Sequence, residues 1–88
     1  MLKEIADAID ALNTTLLAAR DACRAKSTDP ALWTSFEEAM RPHLNTLTSY
    51  ARRGMLNDNA TDMLRSAMSS LIAYRDVAMT PNVRGRRR

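Results

Sequence analysis

Two ladders of apolar residues at heptad spacing limit what this chain can fold into. The first runs Leu2, Ile5, Ile9, Leu12, Leu16, Ala19, Cys23, with steps of 3-4-3-4-3-4. The second runs Ala60, Leu64, Ala67, Leu71, Tyr74, Ala78, with steps of 4-3-4-3-4. At 3.6 residues per turn, such steps keep every member on one stripe of a helix. A strand would scatter the same residues over both faces. Each ladder therefore predicts a long amphipathic helix that needs something to cover its stripe.

Composition agrees with this. Alanine, leucine and methionine carry the apolar load, and Trp33, Phe36, Tyr50 and Tyr74 are the whole aromatic supply. Those residue types favour helices over sheets. Gly54 and Gly85 are the only glycines, which leaves few sites for the tight turns of a β-rich fold.

Start and stop signals divide the chain into three helices. Helix one is predicted over about residues 2–26. Glu4, Asp7 and Asp10 lie near its start and Arg24 and Lys26 near its end, matching the helix dipole. Asp29-Pro30 reads as the next beginning: the carboxylate accepts from free backbone N–H groups, and proline fits the first helical position. Helix two is predicted over about 30–53, with apolar Leu32, Trp33, Phe36, Met40, Leu44, Leu47, Tyr50 and Ala51. Pro42 lies inside it. Proline lacks an N–H and crowds the carbonyl four residues back, so a kink is expected near 38–42. Glu37 and Glu38 are placed to pair with Arg41. Arg52-Arg53-Gly54 signals an ending, with cations in the last turn and glycine for a left-handed cap. Helix three is predicted over about 58–79, with Asn57 as N-cap, Leu56 before it and Pro81 beyond its end.

Three helices of similar length joined by short turns predict an all-α, antiparallel three-helix bundle. The expected organisation is one domain over residues 1–80 and a flexible basic tail over 81–88. An extended hairpin that completes its core by dimerising is the alternative, because 88 residues bury only a modest core.

Charge is unevenly distributed. Lys and Arg number 13 and Asp and Glu 10, a net charge of +3. Arg84, Arg86, Arg87 and Arg88 supply four of the 13, so residues 1–83 carry nine basic against ten acidic side chains. The tail is thus the expected contact for phosphates or an acidic surface, aided by Arg52 and Arg53. A membrane surface is a poorer fit, because four charges without an apolar anchor bind it weakly. A single cysteine, Cys23, excludes an intramolecular disulfide and fits a reducing compartment. The acidic residues of the first helix interrupt any secretory signal, and no apolar run reaches membrane-spanning length. A cytoplasmic protein is expected.

Little in the chain carries chemistry. Cys23 sits on the first ladder and reads as a core residue; a nucleophile would need a neighbouring base. His43 is the only histidine, and no His/Cys cluster has metal-ligand spacing. There is no phosphate-cradling glycine loop. No catalytic residue, cofactor, metal or small-molecule substrate is therefore expected. Helix two, the Gly54 turn and helix three resemble a helix-turn-helix in outline only. Asn59, Thr61 and Arg65 could reach bases, but Asp58 and Asp62 would repel the phosphates beside them.

What remains is a surface. Met68, Ile72 and Met79, flanked by Arg65 and Arg75, follow a stripe next to the helix-three seam, and Leu17 points away from the helix-one seam. Methionine and isoleucine rimmed by arginine suit a protein interface. The expected function is that of a non-catalytic helical interaction protein. It would bind a protein partner as a modulator, inhibitor or small structural subunit, with scope for a homodimer. The alternative is a nucleic-acid-binding accessory protein acting through its arginine tail.

Overall fold

The computed structural model describes residues 3–80. Over them the chain forms three α-helices and no strand: α1 (Lys3–Arg24), α2 (Pro30–Arg52) and α3 (Asp58–Met79). Each connection has five residues, so consecutive helices reverse direction. The result is the expected helical bundle. α1 touches both other helices extensively, and the contact between α2 and α3 is the thinnest of the three. None of these helices is long and apolar enough to cross a membrane.

The ladders become the core. Ile5, Ile9, Leu12 and Ala19 of the first are buried, while Leu16 and Cys23 pack half-buried at its margin. Leu2 lies outside the described residues. Ala60, Ala67, Leu71 and Ala78 of the second are buried, with Leu64 and Tyr74 half-buried beside them. From α2, Trp33, Met40 and Leu47 fill the space between, seven residues apart, and Phe36, Leu44 and Tyr50 flank them. Ala51, which falls among the apolar residues of α2, is exposed. The five buried alanines (Ala8, Ala19, Ala60, Ala67, Ala78) let helix backbones approach closely, and the bulky Leu12, Met40 and Leu47 occupy the remaining volume. Among the described residues, no polar or charged residue is buried in this core.

The helix ends follow the chemistry of their residues. Asp29 caps α2, its Oδ1 accepting from the Ala31 N–H at 3.0 Å, with Pro30 in the first turn. The Trp33 indole N–H donates to the Ser27 carbonyl at 3.0 Å and ties this turn to the end of α1. Trp33 and Phe36 meet edge to face, with ring centroids 5.5 Å apart. α2 closes with a paired cap. The Met55 N–H donates to the Tyr50 carbonyl and the Gly54 N–H to the Ala51 carbonyl, with Gly54 at φ +68°. Asn57 caps α3 by accepting from the Ala60 N–H at 2.8 Å.

Two details differ from expectation. α1 ends at Arg24, and Lys26 is not in its last turn. Instead Lys26 adopts φ 55° and serves where Gly54 serves in α2. The Ser27 N–H donates to the Ala22 carbonyl and the Lys26 N–H to the Cys23 carbonyl, the same paired pattern. A left-handed lysine is not legible in a sequence, because the position ordinarily takes glycine. The second detail is that Glu37, but not Glu38, pairs with Arg41, at 3.1 Å. α2 stays helical through Pro42. Pro42 is exposed, as is Glu38, whose carbonyl loses its helical donor and can turn to water.

Candidate protein-interaction face

Where side chains fall on α3 depends on the helical turn alone. A one-residue shift from the buried ladder rotates about 100° around the axis. Arg65, Met68, Ile72, Arg75 and Met79 stand one residue beyond Leu64, Ala67, Leu71, Tyr74 and Ala78, so they share one stripe beside the core. The packing grades them. Met68 and Met79 are half-buried and rest against the core. Ile72 stays 39% exposed, and Arg65 is exposed. Arg75 is half-buried, its Nε 3.8 Å from the neighbouring Asp76 carboxylate.

Leu17 is on another helix. It stands five residues past Leu12, about 140° round α1, and is 52% exposed. Two more apolar residues escaped the sequence reading. Val77 is 69% exposed, the most of any large apolar side chain in the described residues, and Met55 is 45% exposed in the α2–α3 turn. Val77 was legible, since it lies one residue before Ala78 and rotates away from the core in the sense opposite to Met79. Met55 was not, because a turn residue has no period.

The basic candidates divide. Arg52 and Arg53 are exposed at the end of α2, but the Arg53 guanidinium lies over the Tyr50 ring, 5.3 Å from its centroid. Arg84, Arg86, Arg87 and Arg88 lie outside the described residues. Tyr50 donates its hydroxyl hydrogen bond to the Glu4 carboxylate, joining the end of α2 to the start of α1. That hydrogen bond is the chief reason its pKa is raised; desolvation and the Glu4 charge add to it, and Arg53 opposes them. Arg20 reaches the surface through a partly covered stem, its enclosed Nε 3.9 Å from the neighbouring Asp21 carboxylate and without a partner at hydrogen-bond distance.

The residues with catalytic potential remain dispersed. Cys23 is a half-buried free thiol against the core, and His43 is half-buried on α2. Among the described residues, no group of three or more His, Cys, Asp or Glu side chains could hold a metal ion. Comparison with protein-family models, characterised proteins and solved structures found no match.

Proposed function

We propose that this chain is a non-catalytic helical interaction protein that binds a protein partner through the outer stripe of α3. The observation that carries the reading is Ile72, a large apolar side chain still exposed after the bundle has packed, with half-buried Met68 and Met79 on the same stripe. Ile72 is already more than half covered by the bundle, so burying its remaining exposed surface against a partner is favourable by about 1 kcal/mol, and adaptable methionines around it tolerate an imperfect fit. Arg65 and Arg75 form a charged rim that favours an acidic partner surface. A modulator or inhibitor of a larger assembly, or a small structural subunit in the cytoplasm, works in this way.

The test is a double variant, Met68→Glu with Ile72→Glu. It is expected to keep the helical circular-dichroism spectrum and to lose the partner recovered by pull-down from host lysate. Unchanged recovery refutes the reading. Running the pull-down with and without nuclease addresses the second reading, nucleic-acid binding, which the four arginines among the last five residues favour. Truncation after Asn82 is expected to remove that binding and flatten its salt dependence.

A further inference from the structure

The two poles of the bundle differ in which charges are left unpaired. The Tyr50–Glu4 hydrogen bond holds the end of α2 beside the start of α1. Successive helices reverse direction, so α1 and α3 run parallel and end together at the opposite pole. Near the first pole, Arg52 and Arg53 share the surface with exposed Asp10, Asp58 and Asp62, which form no ion pair among the described residues. The second pole carries Arg20, Arg24, Lys26 and Arg75 together with Asp21, Asp29 and Asp76. Each of these acids already has a partner. Asp21 lies 3.9 Å from Arg20, Asp76 lies 3.8 Å from Arg75, and Asp29 accepts from the Ala31 N–H. Arg24 and Lys26 are exposed and form no ion pair among the described residues.

Lys26 adds an independent observation. Among the described residues it is the one non-glycine side chain at positive φ, 55°. Glycine takes that conformation without strain. Strain of this kind clusters at binding and switch sites, where the role of the side chain offsets it. Arg84, Arg86, Arg87 and Arg88 follow Thr80, the last described residue, by four to eight positions, and Thr80 is at this same pole. A chain spans at most about 3.6 Å per residue. Eight residues therefore fall short of the length of α2, about 33 Å, which separates this pole from Arg52 and Arg53.

We infer that this pole binds the phosphate backbone of double-stranded nucleic acid, with Arg24 and Lys26 as its contacts on the bundle and the terminal arginines extending them. The inference rests on the second reading, nucleic-acid binding, and moves its folded contacts from Arg52 and Arg53 to the end of α1. Guanidinium and ammonium donors directed at phosphate oxygens fix position without reading bases, so binding is tolerant of sequence. A duplex is favoured over a single strand, which proteins hold by stacking bases on open aromatic faces. Trp33 is buried, and Phe36, Tyr50 and Tyr74 are half-buried.

The experiment is fluorescence anisotropy of a short labelled DNA duplex of arbitrary sequence, titrated with the full chain over a range of salt concentrations. Arg24→Gln with Lys26→Gly is expected to weaken binding and to reduce the slope of log K against log salt by about 2. Lys26→Gly relieves the positive φ, so weaker binding by that variant is not a folding defect. Arg52→Gln with Arg53→Gln should leave both affinity and slope unchanged. A single strand of equal length should bind more weakly, and vesicles of phosphatidylserine should not displace the duplex. Tighter binding of the single strand, displacement by the vesicles, or an equal loss from the Arg52, Arg53 variant overturns the inference. If the Arg24, Lys26 variant binds like wild type while truncation after Asn82 abolishes binding, the inference fails and the tail reading survives. A full chain that leaves the duplex unbound at low salt overturns both.

Discussion

Two residues occupy the same backbone conformation with opposite fitness for it. Lys26 and Gly54 both take positive φ where a helix ends. A side chain in that conformation crowds the following carbonyl, at a cost of about 1 kcal/mol. Lys26 is exposed, so its side chain has no packing role that would offset the strain. Lys26→Gly is therefore expected to raise stability by about 0.5–1 kcal/mol, read as a higher urea midpoint. Gly54→Ala is expected to lower it by about 1 kcal/mol. A Cβ at Gly54 would meet nothing within 4 Å, so its cost isolates the backbone contribution. Equal midpoints for Lys26→Gly and wild type would show that the α1 cap is not strained.

At the scale of the element, Pro42 is the conspicuous irregularity. α2 extends ten residues beyond it to Arg52 because the apolar pattern resumes at Leu44 and Leu47, and tertiary burial outweighs local propensity. Pro42→Ala returns a backbone donor to the Glu38 carbonyl and removes the steric clash. Thermal unfolding is expected to shift upward, by an amount equivalent to as much as about 3 kcal/mol. A lower melting temperature would mean that Met40 and Leu44 depend on the backbone direction that proline imposes. The ends of α2 and α3 were legible in advance. Asp29-Pro30, Arg53-Gly54 and Asn57 each satisfy backbone groups that a helix terminus leaves free, and that chemistry is local. The end of α1 was misplaced by two residues because its cap uses a lysine in the glycine role.

The whole molecule depends on a small core. Leu12 is fully buried on the helix that contacts both others. Leu12→Ala is expected to cost about 2–5 kcal/mol in chemical denaturation, a large fraction of the stability of a chain this size. A loss below about 1 kcal/mol would mean the core collapses around the gap. The Tyr50–Glu4 hydrogen bond adds a pH dependence. Because the folded-state pKa of Tyr50 is raised above its ordinary 10.0, ionising the phenol favours the unfolded chain. The contribution is complete below pH 10 and disappears as pH rises through the folded value. Glu4→Ala should bring the Tyr50 midpoint down, as followed by its ring-carbon NMR shift. An unmoved midpoint would exclude Glu4 as the cause.

The sequence by itself determined the helices, their order and most of the core, since helical period and capping chemistry act over a few residues. It also singled out Leu17 and Ile72 by their angle from the ladders, and both prove exposed. Only the tertiary structure decided how much of each neighbouring stripe the bundle covers. Met68 and Met79 fold back against the core while Val77 on the opposite flank stands clear, although all three lie similarly far around the helix from the buried ladder. The period fixes the direction of a side chain. Its exposure depends on how near the adjacent helix lies, and that distance is set jointly by the side chains of all three.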